Sequence, residues 1–465
     1  MNTKQKRSSH SMQKIPQQFL AGLLALCLTF SLPSVPTTAL ADVRQADVVY
    51  GETVESRGLS VAQCPNIDAE YALVMDSEGT VYFERNADEA TQIASITKIM
   101  TAVVALDAVD EGSMSLEDEI TVSSEASAIG ESSASLYAGD TLTLQAALTA
   151  LLVPSGNDAA VAIAEAVAGS EEAFVELMNE KASELGCTDT VYENAHGLDS
   201  DGYEGEQHST ASDVALIVQY AMQNETFREI VATGDTTITV ERDGYDVDIA
   251  LESTDEFADI YEYAIGVKTG YTSLAGYSFA AAALKDDVEL YAVVIGSSSE
   301  DQRFEDAMEL CEWVYEHLVD YTLANSEESC EMDGQEVPVV AEVAHSDWTD
   351  VTIKATLEDP DAAISVFDLN GNVSQSVEFD EVTGDVSAGD KLGTITFKQR
   401  NEVVATMDIV ACEDVEAPGP LESVGVFFKR LVANFSGAQK VAESEILNET
   451  PLIVDKTADD AGEEE

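Results

Sequence analysis

The sequence predicts an α+β fold, an antiparallel sheet flanked by helices with a helical insert between its two strand groups, followed by a small C-terminal all-β domain. Three observations carry this expectation. Strand signals occur at residues 71–84 and return only at 265–297, the chain between them is rich in apolar stripes at three-to-four spacing, and residues 336–412 change to short β-rich runs.

Taken in order, Tyr71-Ala72-Leu73-Val74-Met75 and Thr80-Val81-Tyr82-Phe83-Glu84 flank a turn at Asp76-Ser77-Glu78-Gly79 and read as a β-hairpin. A helix follows from about Ser95 through Ile99, Met100, Val103, Val104 and Leu106. The stretch 110–260 reads as mostly helical, with stripes at 143–152, 158–167, 171–185 and 211–223. Strands are expected at 265–271, 277–284 and 290–297, the last two joined at Lys285-Asp286-Asp287. A helix at 301–323 closes a domain spanning 67–330. Runs such as 351–355, 391–397 and 402–407 then form a separate β module over 336–412.

Pro418-Gly419-Pro420 breaks the chain before an amphipathic helix within 418–437. Leu421, Val424, Phe428, Leu431 and Phe435 share one face, with Lys429 and Arg430 on the other side. An aromatic apolar face beside Lys and Arg is the interfacial pattern, so a peripheral membrane contact through residues 421–435 is favoured over docking on the β module. The acidic tail, 438–465, is expected to be disordered.

Residues 1–41 carry Lys4, Lys6, Arg7 and Lys14, no acid, an apolar run from Phe19 to Leu32, and Ala39-Leu40-Ala41. That is the pattern of a secretory signal peptide cleaved before Asp42, with 42–66 as a linker. No later stretch has the roughly 18 apolar residues of a membrane span, so the expected product is exported, to the cell wall space, without a second span. The formal charge of −67 excludes nucleic acid as a partner, because binding it requires Lys and Arg against phosphates. A saline setting would screen the self-repulsion of such a surface; a melting temperature equal at low and molar salt would count against that idea. Five cysteines remain after the leader, an odd number without metal spacing. Cys311 and Cys330 are the least distant pair in sequence, and the others read as small buried residues.

Chemistry concentrates in three short motifs. Ser95-Ile96-Thr97-Lys98 puts a lysine one helical turn beyond a serine, on the same face, where it can take the hydroxyl proton. The lysine can act only if its pKa falls, which burial, the helix N-terminus and a second cation such as Lys268 would each promote. Ser155-Gly156-Asn157 lies between two helices, where Ser155 could relay a proton to a leaving amine and Asn157 could hold a substrate backbone. Lys268-Thr269-Gly270 lies on a strand: Lys268 and Thr269 suit a terminal carboxylate, Gly270 leaves room for a ligand, and the Tyr271 N–H could join that of Ser95 around an oxyanion. Each motif alone occurs by chance. Their order, Ser-x-x-Lys, Ser-x-Asn, Lys-Thr-Gly, behind a leader does not.

Around these triplets the chain resembles the serine D-alanyl-D-alanine carboxypeptidases, the low-molecular-mass penicillin-binding proteins. The likeness includes Ala94–Ala102, Ser155–Ala160, Asn194-Ala195-His196-Gly197-Leu198, His208–Asp213 and Gly266–Thr272. It covers roughly 66–412, implies a β-lactamase/transpeptidase-like fold, and sets the 421–435 helix beside the family's membrane anchor. It further implies acylation of Ser95 by the penultimate D-alanine of a peptidoglycan stem peptide ending in D-Ala-D-Ala, with Lys98 as base, Ser155 and Asn157 as cleft groups and Lys268 at the carboxylate. β-Lactam antibiotics would acylate the same serine, and no metal or cofactor would be needed. Ala195 stands where the family usually has proline.

Ser123 to Ser135 and the histidines His196 and His208 are read as structural. The alternatives are a D,D-endopeptidase of the same family, a β-lactamase, and a non-catalytic β-lactam-sensing or wall-binding protein. A β-lactamase needs a deacylating base, for which Glu176 with Asn179 has the wrong spacing.

Overall fold

The computed structural model describes residues 64–200, 202–332, 334–436 and 442–453. The leader at 1–41, nearly all of the linker at 42–66 and the end of the tail lie outside the described residues.

The first domain opens with the hairpin β1 (Tyr71–Asp76) and β2 (Val81–Arg85). Helix α1 (Lys98–Asp110) follows a 3-10 turn at Ala94–Thr97. Strands β3 (Glu119–Thr121) and β4 (Thr141–Thr143) precede helices α2 (Leu144–Leu152), α3 (Asn157–Ala168), α4 (Glu171–Glu184), α5 (Ala211–Ala221) and α6 (Glu225–Val231). Strands β5 (Thr236–Arg242) and β6 (Tyr245–Leu251) and the short helix α7 (Phe257–Ile260) lead to β7 (Ala264–Thr272), β8 (Gly276–Lys285) and β9 (Val288–Ser297). Helix α8 (Glu300–His317) ends the domain, its first turn capped by Ser299, whose hydroxyl accepts the Gln302 N–H.

The main sheet has the order β2-β1-β9-β8-β7, all antiparallel, so the sequence-distant hairpin and triple-strand meander are one sheet. Alternation along each strand divides the core. Leu73, Met75, Tyr291 and Val293 face the helical insert, whereas Ala72, Val74, Leu290 and Ala292 face α8. Helix α1 runs through the first of these cores and is buried from Lys98 to Leu106. Strand β7 is an edge strand, and every second N–H of an edge points away from the neighbouring strand.

The second domain contains β10 (Leu318–Thr322), β11 (Ser329–Met332), β12 (Gln335–Pro338), β13 (Ala341–Ala344), β14 (Thr352–Leu357), β15 (Ala363–Phe367), β16 (Ser374–Phe379), β17 (Lys391–Gln399), β18 (Glu402–Ala411), α9 (Pro420–Ser436) and β19 (Glu445–Ile446). Its sheet has the order β16-β17-β18-β14-β13-β19.

Several expectations need correction. The closing helix stops at His317 rather than 323, and 318–322 pairs with β15. The insert is not all helical, since β5 and β6 form a hairpin through Asp243-Gly244, both at positive φ. The tail is not disordered over 442–453. Glu445 and Ile446 pair with β13, and buried Asn448 donates to Leu323 O and Gln375 Oε1 at 2.9 and 2.8 Å. The disulfide joins Cys330 to Cys412, not to Cys311, which is buried in the first domain.

Helix α9 docks and presents its face at once. Val426 and Ala433 are buried, Arg430 donates to the Ser346 and Trp348 carbonyls, and Lys429 pairs with Asp350 at 3.2 Å. Leu421, Val424, Phe428, Leu431 and Phe435 remain exposed. Among the described residues no helix is long and apolar enough to cross a membrane.

Candidate active site

Ser95 sits in the 3-10 turn, and Lys98 begins α1. Because a 3-10 turn places i and i+3 in line, the lysine reaches straight back, its Nζ 2.9 Å from Ser95 Oγ. A second acceptor, the His196 carbonyl, lies 2.7 Å from Nζ. Lys98 is fully buried. Burial first, and then the charge of Lys268, hold its pKa well below the ordinary lysine range, while Asp158 opposes them. The nucleophile thus faces a lysine whose surroundings favour the neutral form.

The turn is held in shape by unusual backbone. Ala94 has φ 49°, a left-handed conformation costing about 1–2 kcal/mol for a residue with a Cβ. Gly270 presses on the same turn. A Cβ there would stand 2.9 Å from Ile93 O and 3.4 Å from the Ala94 Cβ. The expectation that Gly270 leaves room for a ligand is therefore corrected, since the nucleophile turn fills that space.

Ser155 lies between α2 and α3, and Asn157 is the first residue of α3. Ser155 is also left-handed, at φ 63°. Its hydroxyl and Asn157 Oδ1 are buried with no partner, whereas Asn157 Nδ2 donates to Gly130 O at 2.9 Å. Asp158 pins the loop ahead of them by accepting the N–H groups of Ala134 and Leu136 and the Ser133 hydroxyl. The Ser133 hydroxyl thus serves the loop.

On β7, Lys268 Nζ donates to Thr269 O at 3.1 Å and lies 3.4 Å from Thr269 Oγ1. Burial and Arg303 lower its pKa to about 7 against the opposing pull of Asp255. Thr254 ties this strand to the Ser155 turn. Its N–H donates to Val153 O at 3.1 Å, and its hydroxyl lies 2.8 Å from Thr269 Oγ1. Tyr271 is exposed and packs against Tyr277 in a tilted pair, ring centroids 4.4 Å apart.

Sequence reasoning missed three participants. The His196 carbonyl is a backbone atom, invisible to any motif of side chains. Thr254 and Asp255 carry no motif of their own and act through proximity to β7. His196 itself is buried, and burial followed by the nearby Lys98 charge lowers its pKa to about 3, so its ring stays neutral. Asn179 is bound to Val175 O and to both backbone groups of Tyr192, and Glu176 is exposed on α4. That pair makes no deacylating base.

Residues 59–299, just over half of the chain, match the family described as D-alanyl-D-alanine carboxypeptidase. D-alanyl-D-alanine carboxypeptidase DacF of Bacillus subtilis (strain 168) is 29% identical over 375 residues, which is 79% of this chain and 90% of the relative. DacC of Escherichia coli (strain K12), of the same description, is 30% identical over 377 residues, 77% of this chain and 86% of its own. Among solved structures, penicillin binding protein 6B from Escherichia coli superposes with a TM-score of 0.56 at 26% identity, covering 75% of this chain and 97% of that one. With the family matched over most of the first domain and relatives aligned into the second, the chain belongs to the D-alanyl-D-alanine carboxypeptidase family, serine-type peptidases of the penicillin-binding class.

Proposed function

We propose that this protein removes the terminal D-alanine from peptidoglycan stem pentapeptides through an acyl-enzyme on Ser95, and that β-lactam antibiotics block it by acylating the same oxygen. The observation that carries this reading is the buried Lys98 Nζ, 2.9 Å from Ser95 Oγ, with its pKa lowered by burial and by Lys268.

Lys98 takes the hydroxyl proton as Oγ attacks the carbonyl of the penultimate D-alanine. The Ser95 and Tyr271 N–H groups receive the oxyanion. As the tetrahedral species collapses, the proton passes from Lys98 through Ser155 to the leaving amine, and D-alanine departs. Lys98, again neutral, deprotonates a water that attacks the ester, breaks the C–Oγ bond and returns the proton to Ser95. Lys268 and Thr269 hold the terminal carboxylate, and Asn157 Oδ1 accepts a substrate N–H. Gly270 contributes by letting the nucleophile turn close on β7.

The family works outside the cytoplasm, and the leader-like residues 1–41 suit that location. The exposed apolar face of α9 supports peripheral contact with the outer face of the cytoplasmic membrane.

Release of D-alanine from a diacylated Lys-D-Ala-D-Ala peptide, by the wild type and not by Ser95→Ala, is the expected result. A folded wild type that binds penicillin yet releases no D-alanine would sink the carboxypeptidase reading.

A further inference from the structure

The carbonyl that receives Lys98 belongs to the loop 194–198, and this loop is gripped from two sides. From α1, Thr101 Oγ1 donates to Ala195 O at 2.6 Å and Lys98 Nζ donates to His196 O at 2.7 Å. Within the loop, Asn194 Oδ1 accepts the His196 and Gly197 N–H groups, and His196 Nδ1 accepts the Leu198 N–H at 3.2 Å. Since Nδ1 accepts and the ring is neutral, the imidazole proton lies on Nε2. Nε2 lies 3.6 Å from Glu171 Oε1, too far for a hydrogen bond and without another partner, whereas the same oxygen accepts the Ala195 N–H at 3.0 Å.

We propose that Glu171, at the first position of α4, is a positioning residue for the general base: through Ala195 and His196 it aims the His196 carbonyl at Lys98 Nζ. The inference rests on the reading of Lys98 as that base. A neutral lysine has two N–H bonds and one lone pair. If one N–H is committed to the His196 carbonyl, rotation about Cε–Nζ is restricted and the lone pair can be kept towards Ser95 Oγ. Withdrawing Glu171 frees the amide of Ala195 and lets that carbonyl drift. Proline at 195 would offer Glu171 no N–H, so this contact belongs to the alanine found here.

A plain helix-capping role is the competing account, because an acidic residue in the first turn favours any helix. Glu172 already occupies that turn and is exposed, while Glu171 is turned across to the loop with a quarter of its side chain accessible. A capping carboxylate would also be replaced well by aspartate. A positioning oxygen would not, since aspartate withdraws it by one methylene.

The test is the acylation of Ser95 by a reporter penicillin, resolved into the binding constant and the rate constant at saturation, with intact mass spectrometry confirming the adduct. Glu171→Ala and Glu171→Asp are expected to lower the saturating rate constant by about tenfold or more while binding changes by less than about twofold. Glu171→Gln keeps an acceptor oxygen for the Ala195 N–H and is expected to stay within about threefold of the wild type. Folded Asp and Ala variants at the wild-type rate, or a Gln variant as slow as Ala, would overturn the inference. A wild type that never takes an acyl group at Ser95 overturns the underlying reading and this inference with it.

Discussion

Gly197 lies directly against the carbonyl of Ala94: a Cβ at residue 197 would stand 1.9 Å from that oxygen and 2.9 Å from Thr97 Oγ1. The loop that supplies the lysine's acceptor and the turn that supplies the nucleophile are thus interlocked at a point where only glycine fits, at φ +93°. Gly197→Ala is expected to cost about 2–4 kcal/mol from overpacking and the left-handed backbone. Where the variant still folds, Ser95 acylation should fall about a hundredfold or more, because the turn must shift. Denaturant unfolding and stopped-flow acylation would check both; a variant with wild-type acylation would show that the turn tolerates displacement.

The two buried lysines make opposite demands on pH. Lys98 must be neutral to accept a proton, and burial and the charge of Lys268 shift it towards that form. Lys268 must be charged to hold a carboxylate, and with a pKa of about 7 it is charged below that value and loses its proton above it. For a peptide with a free C-terminus, kcat/KM should therefore fall on an alkaline limb near 7. The same peptide with an amidated C-terminus should lack the limb, and a limb common to both would assign it elsewhere.

Asp255 offers a stability test with a defined sign. Burial raises its pKa to about 6, above the unfolded value of about 3.8, so the folded state binds the proton more tightly. Stability then declines as pH rises from about 4 to 6, and the buried charge costs about 2–3 kcal/mol above that window. Asp255→Asn keeps an acceptor for the Phe257 N–H, held at 2.8 Å, and should stabilise the protein near pH 8 but hardly near pH 4. It should also raise KM, since Lys268 loses the carboxylate that favours its charge. Equal stabilisation at both pH values would contradict the assignment.

The Cys330–Cys412 bridge joins positions 82 residues apart and ties the β11–β12 hairpin to the strand that leads into α9. Its removal is expected to cost about 2–4 kcal/mol within the second domain. Ser95 acylation should be unchanged, because the first domain's cores do not depend on it. Unfolding curves with and without reductant would report the first effect; a parallel loss of acylation would mean that the domains are coupled.

Arg430 is spent on the Ser346 and Trp348 carbonyls and the exposed Lys429 pairs with Asp350, while Leu421, Val424, Phe428, Leu431 and Phe435 give the exposed surface of α9 its apolar character. Vesicle flotation should accordingly be abolished by Phe428→Ser with Phe435→Ser, depend little on anionic lipid, and persist in salt. Binding that appears only on anionic vesicles and vanishes in salt would point to cations the structure keeps occupied. Cleavage of a soluble peptide should be untouched by the same substitutions.

What could be read from the sequence was what is local. Ser95 and Lys98 meet because three residues of turn separate them, and the strands around Val74, Ala281 and Val293 declare themselves by apolar content and bounding turns. Contacts made across long separations left no such trace. The β5–β6 hairpin was open to detection, since Ile238 and Val240 alternate with polar residues before Asp243-Gly244, but the helical stripes on either side drowned it. Nearness along the chain chose the wrong partner for Cys330, because disulfide geometry answers to folded distance alone. Acidic composition concealed β19, where two residues and the buried Asn448 suffice to hold the chain. The room left by Gly270 goes to the nucleophile turn in place of substrate, a contact across a long separation that no local pattern reveals.

The chain enters α9 from β18 and comes back from it to β19, both strands of one sheet. A helix held at its middle by Arg430 and lying between two strands of one sheet behaves as a foot, where a helix at a loose terminus would behave as a leash. A leashed enzyme sweeps a hemisphere and meets substrate at any height. On the proposed membrane contact, an enzyme standing on such a foot would hold its cleft in a single stratum above the surface, and its substrates would be chosen by altitude as well as by chemistry.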